Sequence, residues 1–157
     1  METAKKLYFG YGSNLWRQQM DLRCPENKFL GVGRLADWRW MINTRGYANV
    51  APSPGDEVYA FLYELSVSDE ESLDRFEGVP VSYVKQIIPV EHLRREGKKT
   101  VQALVYVDVE RLDVGPPKEE YVGRMNSAIA DALSEGIPRA YIDKYLRPHI
   151  PAHGVSA

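Results

Sequence analysis

The amino-acid sequence predicts an α+β fold, a small mixed sheet that is curved or barrel-like and flanked by helices. Three observations carry this prediction. Apolar and aromatic residues alternate with a period of two, as at Trp38, Trp40 and Ile42, which marks strands with one buried face. Helical patterns interrupt the strands but are too few and too irregularly placed for a doubly wound sheet. Hydrophobic residues make up 44% and charged residues 27% of 157 positions, the composition of an ordinary globular chain, expected as one domain over 1–157. A chain of that length buries about two-thirds of the surface its unfolded form exposes.

The elements follow in order. Leu7-Tyr8-Phe9 reads as a short strand running into Gly10-Tyr11-Gly12-Ser13-Asn14. A helix over about 15–20 follows, with Ser13 or Asn14 as its N-cap, and Cys24-Pro25 ends it. Residues 28–43 read as a strand. Ala51-Pro52-Ser53-Pro54-Gly55-Asp56 reads as a turn, and 57–65 as the next strand, with Val58, Ala60, Leu62 and Glu64 on one side. Ser68 and Glu71 have the spacing of a capping box for a helix that carries Leu73 and Phe76 inward and stops at Gly78. Residues 83–91 and 100–107 form a hairpin around the charged turn that contains Arg94, Arg95, Lys98 and Lys99. After the Gly115-Pro116-Pro117 break comes a helix over about 118–134, stopped by Gly136. A last helix runs from Pro138 to before Pro148. Disorder is expected only at the first few residues and around the Pro148-His149-Ile150-Pro151 tail.

The formal net charge is −2, and the only dense basic stretch is that hairpin turn, so no nucleic-acid face is expected. The one cysteine, Cys24, fits a reducing compartment. Met1 to Lys6 carries no leader pattern, and the longest apolar run, 58–63, is far too short for a bilayer. The cytoplasm is the expected location, with no membrane partner, and the chain is expected to be a monomer or homodimer.

Two segments can carry chemistry. In Tyr8-Phe9-Gly10-Tyr11-Gly12-Ser13-Asn14, two glycines between strand and helix let successive N–H groups converge on a carboxylate or oxyanion. The alternative is a plain tight turn. A dinucleotide fingerprint needs a third glycine where Leu15 stands, and no Gly-Lys-Ser/Thr follows for a Walker loop. Ser13 lacks the Gly-x-Ser-x-Gly setting of a nucleophile, and His92, His149 and His153 show neither a partner spacing nor metal-ligand spacing. No metal or other cofactor is implied.

The second segment is Leu73-Asp74-Arg75-Phe76-Glu77-Gly78-Val79. Glu77 falls at a helix C-terminus, where the dipole disfavours its charge, and between Phe76 and apolar Val79-Pro80-Val81. Both effects raise a carboxyl pKa toward the range a general acid/base needs. The alternative is an ordinary surface glutamate before a capping glycine. Ten tyrosines, Tyr11, Tyr83 and Tyr121 among them, can orient a ligand without charge, though most are expected in core or strands.

In this order, Tyr8-Phe9-Gly10-Tyr11-Gly12-Ser13-Asn14-Leu15, Ser53-Pro54-Gly55-Asp56-Glu57-Val58 and Leu73-Asp74-x-x-Glu77-Gly78 resemble the γ-glutamylcyclotransferase family. Pro116-Pro117 with Tyr121, and Glu135-Gly136-Ile137-Pro138, extend the likeness, which covers Tyr8 to about Tyr145. The resemblance implies a mixed β-barrel edged by helices, with Glu77 as catalytic acid/base. It also implies a substrate-binding loop of Tyr8, Phe9, Gly10, Tyr11, Gly12, Ser13 and Asn14, a substrate contact from Tyr121, and an ordering role for Tyr83. Asn14 argues against the glutathione-specific branch, which carries Tyr-Gly-Ser-Leu.

The implied reaction is a lyase-type amide cleavage. The substrate's α-amine attacks its own γ-amide carbonyl, giving 5-oxoproline and a free amino acid. Two other readings stand beside it: a leaving group from a γ-glutamylamine or a specialised γ-glutamyl intermediate, or a protein that binds γ-glutamyl metabolites without turnover. Trp16, Arg45, Tyr47 and Asn49 are candidates for choosing the leaving group, because Arg45–Asn49 joins two core strands; a plain connecting loop is the alternative.

Overall fold

The computed structural model describes residues 6–152; the segment before Lys6, where no leader is expected, and His153 lie outside the described residues. The N-terminal strand is β1 (Lys6–Gly10). A single 3-10 turn (Ser13–Leu15) and a short helix α1 (Arg17–Arg23) follow it. Neither Ser13 nor Asn14 caps a helix, contrary to expectation; both are buried and turned to other partners. Cys24 does end α1, ahead of Pro25.

Strands β2 (Lys28–Ile42) and β3 (Ala48–Leu65) form the longest antiparallel pair. The chain does not reverse at Ala51–Asp56. Ala36 pairs with Glu57 and Trp38 with Pro52, so residues 53–56 bulge opposite Asp37 alone. Proline and glycine here serve an excursion from the ladder. Gly55 N–H donates to Asp37 Oδ1 at 2.9 Å, and φ is positive at both Asp37 (67°) and Gly55 (87°). The reversal lies earlier, at Thr44–Tyr47.

Helix α2 (Val67–Glu77) is capped by Ser66, whose Oγ accepts from Asp69 N–H at 3.1 Å while Asp69 reaches back to Ser66 N–H. The predicted Ser68–Glu71 box is two residues out of frame, because β3 ends at Leu65 and leaves Ser66 as the first free position. Leu73 is buried as expected, but Phe76 is 58% exposed. Strands β4 (Val84–Arg94) and β5 (Gly97–Val107) extend their hairpin to a two-residue turn, Arg95-Glu96. Then come α3 (Glu119–Ser134) and α4 (Arg139–Tyr141), which runs on into a π turn (Ile142–Leu146). The tail expected to be disordered is packed. Ile150 is fully buried, and its carbonyl accepts from Arg147 at 3.2 Å.

The five strands close into a barrel in the order β1-β3-β2-β4-β5, sealed by a parallel bridge between Tyr8 and Leu104. The predicted α+β barrel is therefore the observed fold. β3 is buried on both faces, Val58, Ala60 and Leu62 on one and Phe61, Tyr63 and Leu65 on the other. No helix among the described residues is long and apolar enough to cross a membrane. One end of the barrel gathers the C-terminal ends of β1 and β5 and the β2–β3 turn, and the site is built there.

Candidate active site

Glu77 is the last residue of α2. Gly78 stops the helix in the left-handed conformation (φ 66°), and a Cβ there would lie 2.9 Å from Ser82 Oγ. The stop fixes where the Glu77 side chain leaves the helix: into a cavity of about 250 Å³, of which it is the sole acidic lining residue. Among the described residues no donor hydrogen-bonds its carboxylate. Burial by the cavity walls raises its pKa from 4.5 to about 7, opposed by the positive charges of Arg23, Arg124 and Arg45. The apolar neighbours expected to desolvate it, Phe76 and Val81, are largely exposed. The walls that do so come from distant segments.

The glycine loop forms one wall. Gly12 lets Tyr121 approach, since a Cβ on it would lie 3.0 Å from the Tyr121 phenol oxygen and 3.1 Å from Ala48 Cβ. Asn14 ties the loop together. Its Nδ2 donates to Tyr8 Oη at 2.9 Å, its Oδ1 accepts from Gln19 at 2.9 Å, and its carbonyl accepts from Tyr63 at 2.8 Å. Ser13 Oγ accepts from Gln19 Nε2 at 2.8 Å, and no histidine lines the cavity. His92 bonds Leu30 and His149 lies against Trp40, both away from Ser13.

Phenols line most of the remainder. Tyr11 donates to the Tyr106 carbonyl at 2.6 Å and Tyr83 to the Ala48 carbonyl at 2.7 Å, so each pins a wall segment to another strand. Burial raises the pKa of Tyr8, Tyr11, Tyr83 and Tyr121, with Glu77 adding to each, so all four stay neutral. The cavity is therefore polar and uncharged except for Glu77 and its arginines.

The family model described as "Gamma-glutamyl cyclotransferase, AIG2-like" matches residues 8–122, from the first cavity tyrosine to just past Tyr121. The chain belongs to this family. A mouse protein named γ-glutamylcyclotransferase is 33% identical over 152 residues, covering 88% of this chain and 76% of the mouse protein. A human protein of the same name is 32% identical over 149 residues with the same coverage. A solved structure named γ-glutamyl cyclotransferase superposes with a TM-score of 0.79 at 28% identity, covering 98% of this chain and 92% of its own. The family is thus one of enzymes, and the barrel seen here is its fold.

In this cyclotransferase-family chain the cavity brings together Tyr8, Tyr11, Gly12, Ser13, Asn14, Glu77, Tyr83 and Tyr121 of the predicted site. Phe9 turns into the fully buried core and Gly10 packs under the Tyr8 ring, so neither lines the cavity. Arg45 and Tyr47 face it. Trp16 packs on the core instead, and Asn49 is buried in reciprocal bonds with Asp108 (3.0 and 2.9 Å). Sequence reasoning missed Arg23, Tyr106 and Arg124. Arg124 carried a signal, since it stands one helical turn after Tyr121 and shares its face of α3. Six of the ten tyrosines line the cavity, more than expected.

Proposed function

We propose that this chain is a γ-glutamylcyclotransferase in which Glu77 moves the protons. The observation that carries the reading is an unbonded carboxylate, pushed to about 7, as the sole acid of a cavity walled by neutral phenols, the glycine loop and three arginines. A group poised there accepts a proton at neutral pH and returns it. At neutral pH the substrate's α-amine is held as ammonium. Glu77 takes a proton from the substrate's α-ammonium, and the freed amine attacks the γ-amide carbonyl carbon. The lactam C–N bond forms and the carbonyl becomes an oxyanion. When the oxyanion collapses, the bond to the leaving nitrogen breaks and Glu77 delivers its proton there. The ring nitrogen, still cationic with two hydrogens, then gives its second proton to Glu77, which passes it to the released amine, leaving a neutral lactam and an ammonium. Atoms and charge balance without an enzyme nucleophile.

The opening N–H groups of the 3-10 turn, at Ser13 and Asn14, precede any intrahelical acceptor and suit the substrate carboxylate or the oxyanion. Tyr121 and Tyr8 suit the γ-glutamyl chain, and Tyr83 holds the wall behind it. Confining amine and carbonyl at attack distance removes much of the ordering entropy from the barrier.

Incubation of the purified protein with γ-glutamyl amino acids, γ-glutamylamines and glutathione tests the reaction. The reading predicts 5-oxoproline from at least one of the first two classes. A folded protein that releases none, yet binds a γ-glutamyl compound, contradicts it.

A further inference from the structure

Gln19, on α1, is buried against the glycine loop and takes no part in the mechanism above. Both ends of its amide are committed. Oε1 accepts from Arg124 Nη1 at 3.2 Å, and Nε2 donates to Ser13 Oγ at 2.8 Å and to Asn14 Oδ1 at 2.9 Å. Arg124 is itself held by Glu120, with Nε and Nη2 each 3.0 Å from a carboxylate oxygen.

Hydrogen-bond direction along this row of groups is fixed by its cations. A guanidinium donates and cannot accept, so the Gln19 oxygen faces Arg124 and its nitrogen faces the loop. The Asn14 oxygen then faces Gln19, and Arg23 Nη1 holds it there from 3.4 Å. That leaves the Asn14 nitrogen to donate to Tyr8 Oη at 2.9 Å. Tyr8 receives from a group that only gives, so its own hydrogen points elsewhere. The ring is held in place, edge-on to Tyr106 (centroids 5.8 Å apart) and stacked on Tyr63 (6.2 Å). Among the described residues no acceptor takes the Tyr8 hydrogen, and Tyr8 lines the cavity. The one anion there is Glu77, whose charge adds to the burial that raises the Tyr8 pKa. With substrate bound, Glu77 serves the α-ammonium, and the acceptor left for Tyr8 is an oxygen of the γ-glutamyl group.

We propose that Gln19 is a positioning residue: it passes the donor direction of Arg124 through Asn14 to Tyr8, so that the Tyr8 hydroxyl meets the substrate as a hydrogen-bond donor. This inference rests on the cyclotransferase reading. A donor already aimed at an oxygen that carries or gains negative charge needs no reorientation during the reaction. The charges of the cavity, Glu77 with Arg23, Arg45 and Arg124, are untouched by a neutral replacement of Gln19, so such a variant separates hydrogen-bond direction from charge.

The test is a double-mutant cycle of Gln19→Met and Tyr8→Phe, read as kcat/KM for 5-oxoproline release from whichever γ-glutamyl compound of the panel above the wild type cleaves fastest. Tyr8→Phe should lose about ten- to a hundredfold, the worth of a hydrogen bond to a charged oxygen. Gln19→Met should lose about tenfold on its own but less than about twofold in the Tyr8→Phe background, because it acts through that hydroxyl. A packing role for Gln19 would cost the same in both backgrounds. Equal losses in the two backgrounds, or Gln19→Met within about twofold of wild type, overturn the proposal while leaving the cyclotransferase reading standing. If Gln19→Met lacks the native near-UV spectrum, Gln19→Glu takes its place in the same cycle, since it still accepts from Arg124 but gives the loop no donor. Its kcat/KM is then read on the plateau above the Glu77 inflection, where the added charge no longer changes the ionised fraction. No release from any member of the panel by the folded wild type overturns that reading, and this proposal with it.

Discussion

At the scale of single residues, the account turns on the ionisation of Glu77. Desolvation holds its carboxyl near 7, and Arg23 is the first of the charges that restrain the rise. As a base it must be ionised, so kcat/KM should climb with pH through an inflection near 7 and fall about tenfold per pH unit below it. Arg23→Gln removes the strongest opposing charge and should move that inflection upward; a pH–rate profile of the two proteins checks the direction. The same shift affects stability, with a definite sign. The folded pKa lies above the unfolded value, so the folded state holds more protons between about pH 4.5 and 7, and stability falls as pH rises through that window. Glu77→Gln should therefore be stabilised relative to wild type at pH 8 by up to about 3 kcal/mol, and by little at pH 4, in urea titrations at the two pH values. Glu77 itself was legible in the sequence, from its place before a capping glycine. The source of its desolvation was not, because the tyrosines that enclose it come from β1, β5 and α3 and meet only when the barrel closes.

At the scale of elements, two short segments set the site's geometry. The glycine loop depends on Gly12, where a side chain would find no room. Gly12→Ala would press a methyl group against Tyr121 and against Ala48 Cβ, which cannot rotate away. The expected outcome is about 1–3 kcal/mol of lost stability, with a KM rise larger than the kcat loss; steady-state kinetics and thermal melts report the two. Helix α2 aims Glu77, and its start depends on the Ser66–Asp69 box. Ser66→Ala should cost about 1 kcal/mol, or a Tm drop of about 2–4 °C by calorimetry, whereas Ser68→Ala should cost less. The helix was visible in the sequence, but its frame was not, since two Ser-x-x-acid patterns overlap and only the end of β3 selects one. The Pro-Ser-Pro-Gly-Asp segment misled for a related reason. The residues that make a reversal also make a bulge, and the difference lies in whether the flanking strand segments pair with each other or with a common partner, here β2.

At the scale of the whole molecule, the barrel is the means by which distant sequence becomes one cavity. Its class could be read from strand periodicity and the scarcity of helices; its strand order could not, because the closing contact joins Tyr8 to Leu104 across most of the chain. That seam is a single parallel pair, while β2 and β3 are zipped along nearly their full length. Amides that β1 and β5 direct at one another should therefore exchange faster than those at the centre of β2–β3, in native-state hydrogen exchange. Tyr8 stands on that seam and in the cavity, so substrate binding should slow exchange there first. The central claim is that all this architecture serves one proton carrier. The most direct measurement is 5-oxoproline release by wild type and Glu77→Gln on the preferred γ-glutamyl substrate, with near-UV circular dichroism matched between them. The account predicts that Glu77→Gln loses about a hundred- to ten-thousandfold in kcat while keeping the native spectrum; release within tenfold of wild type would contradict it.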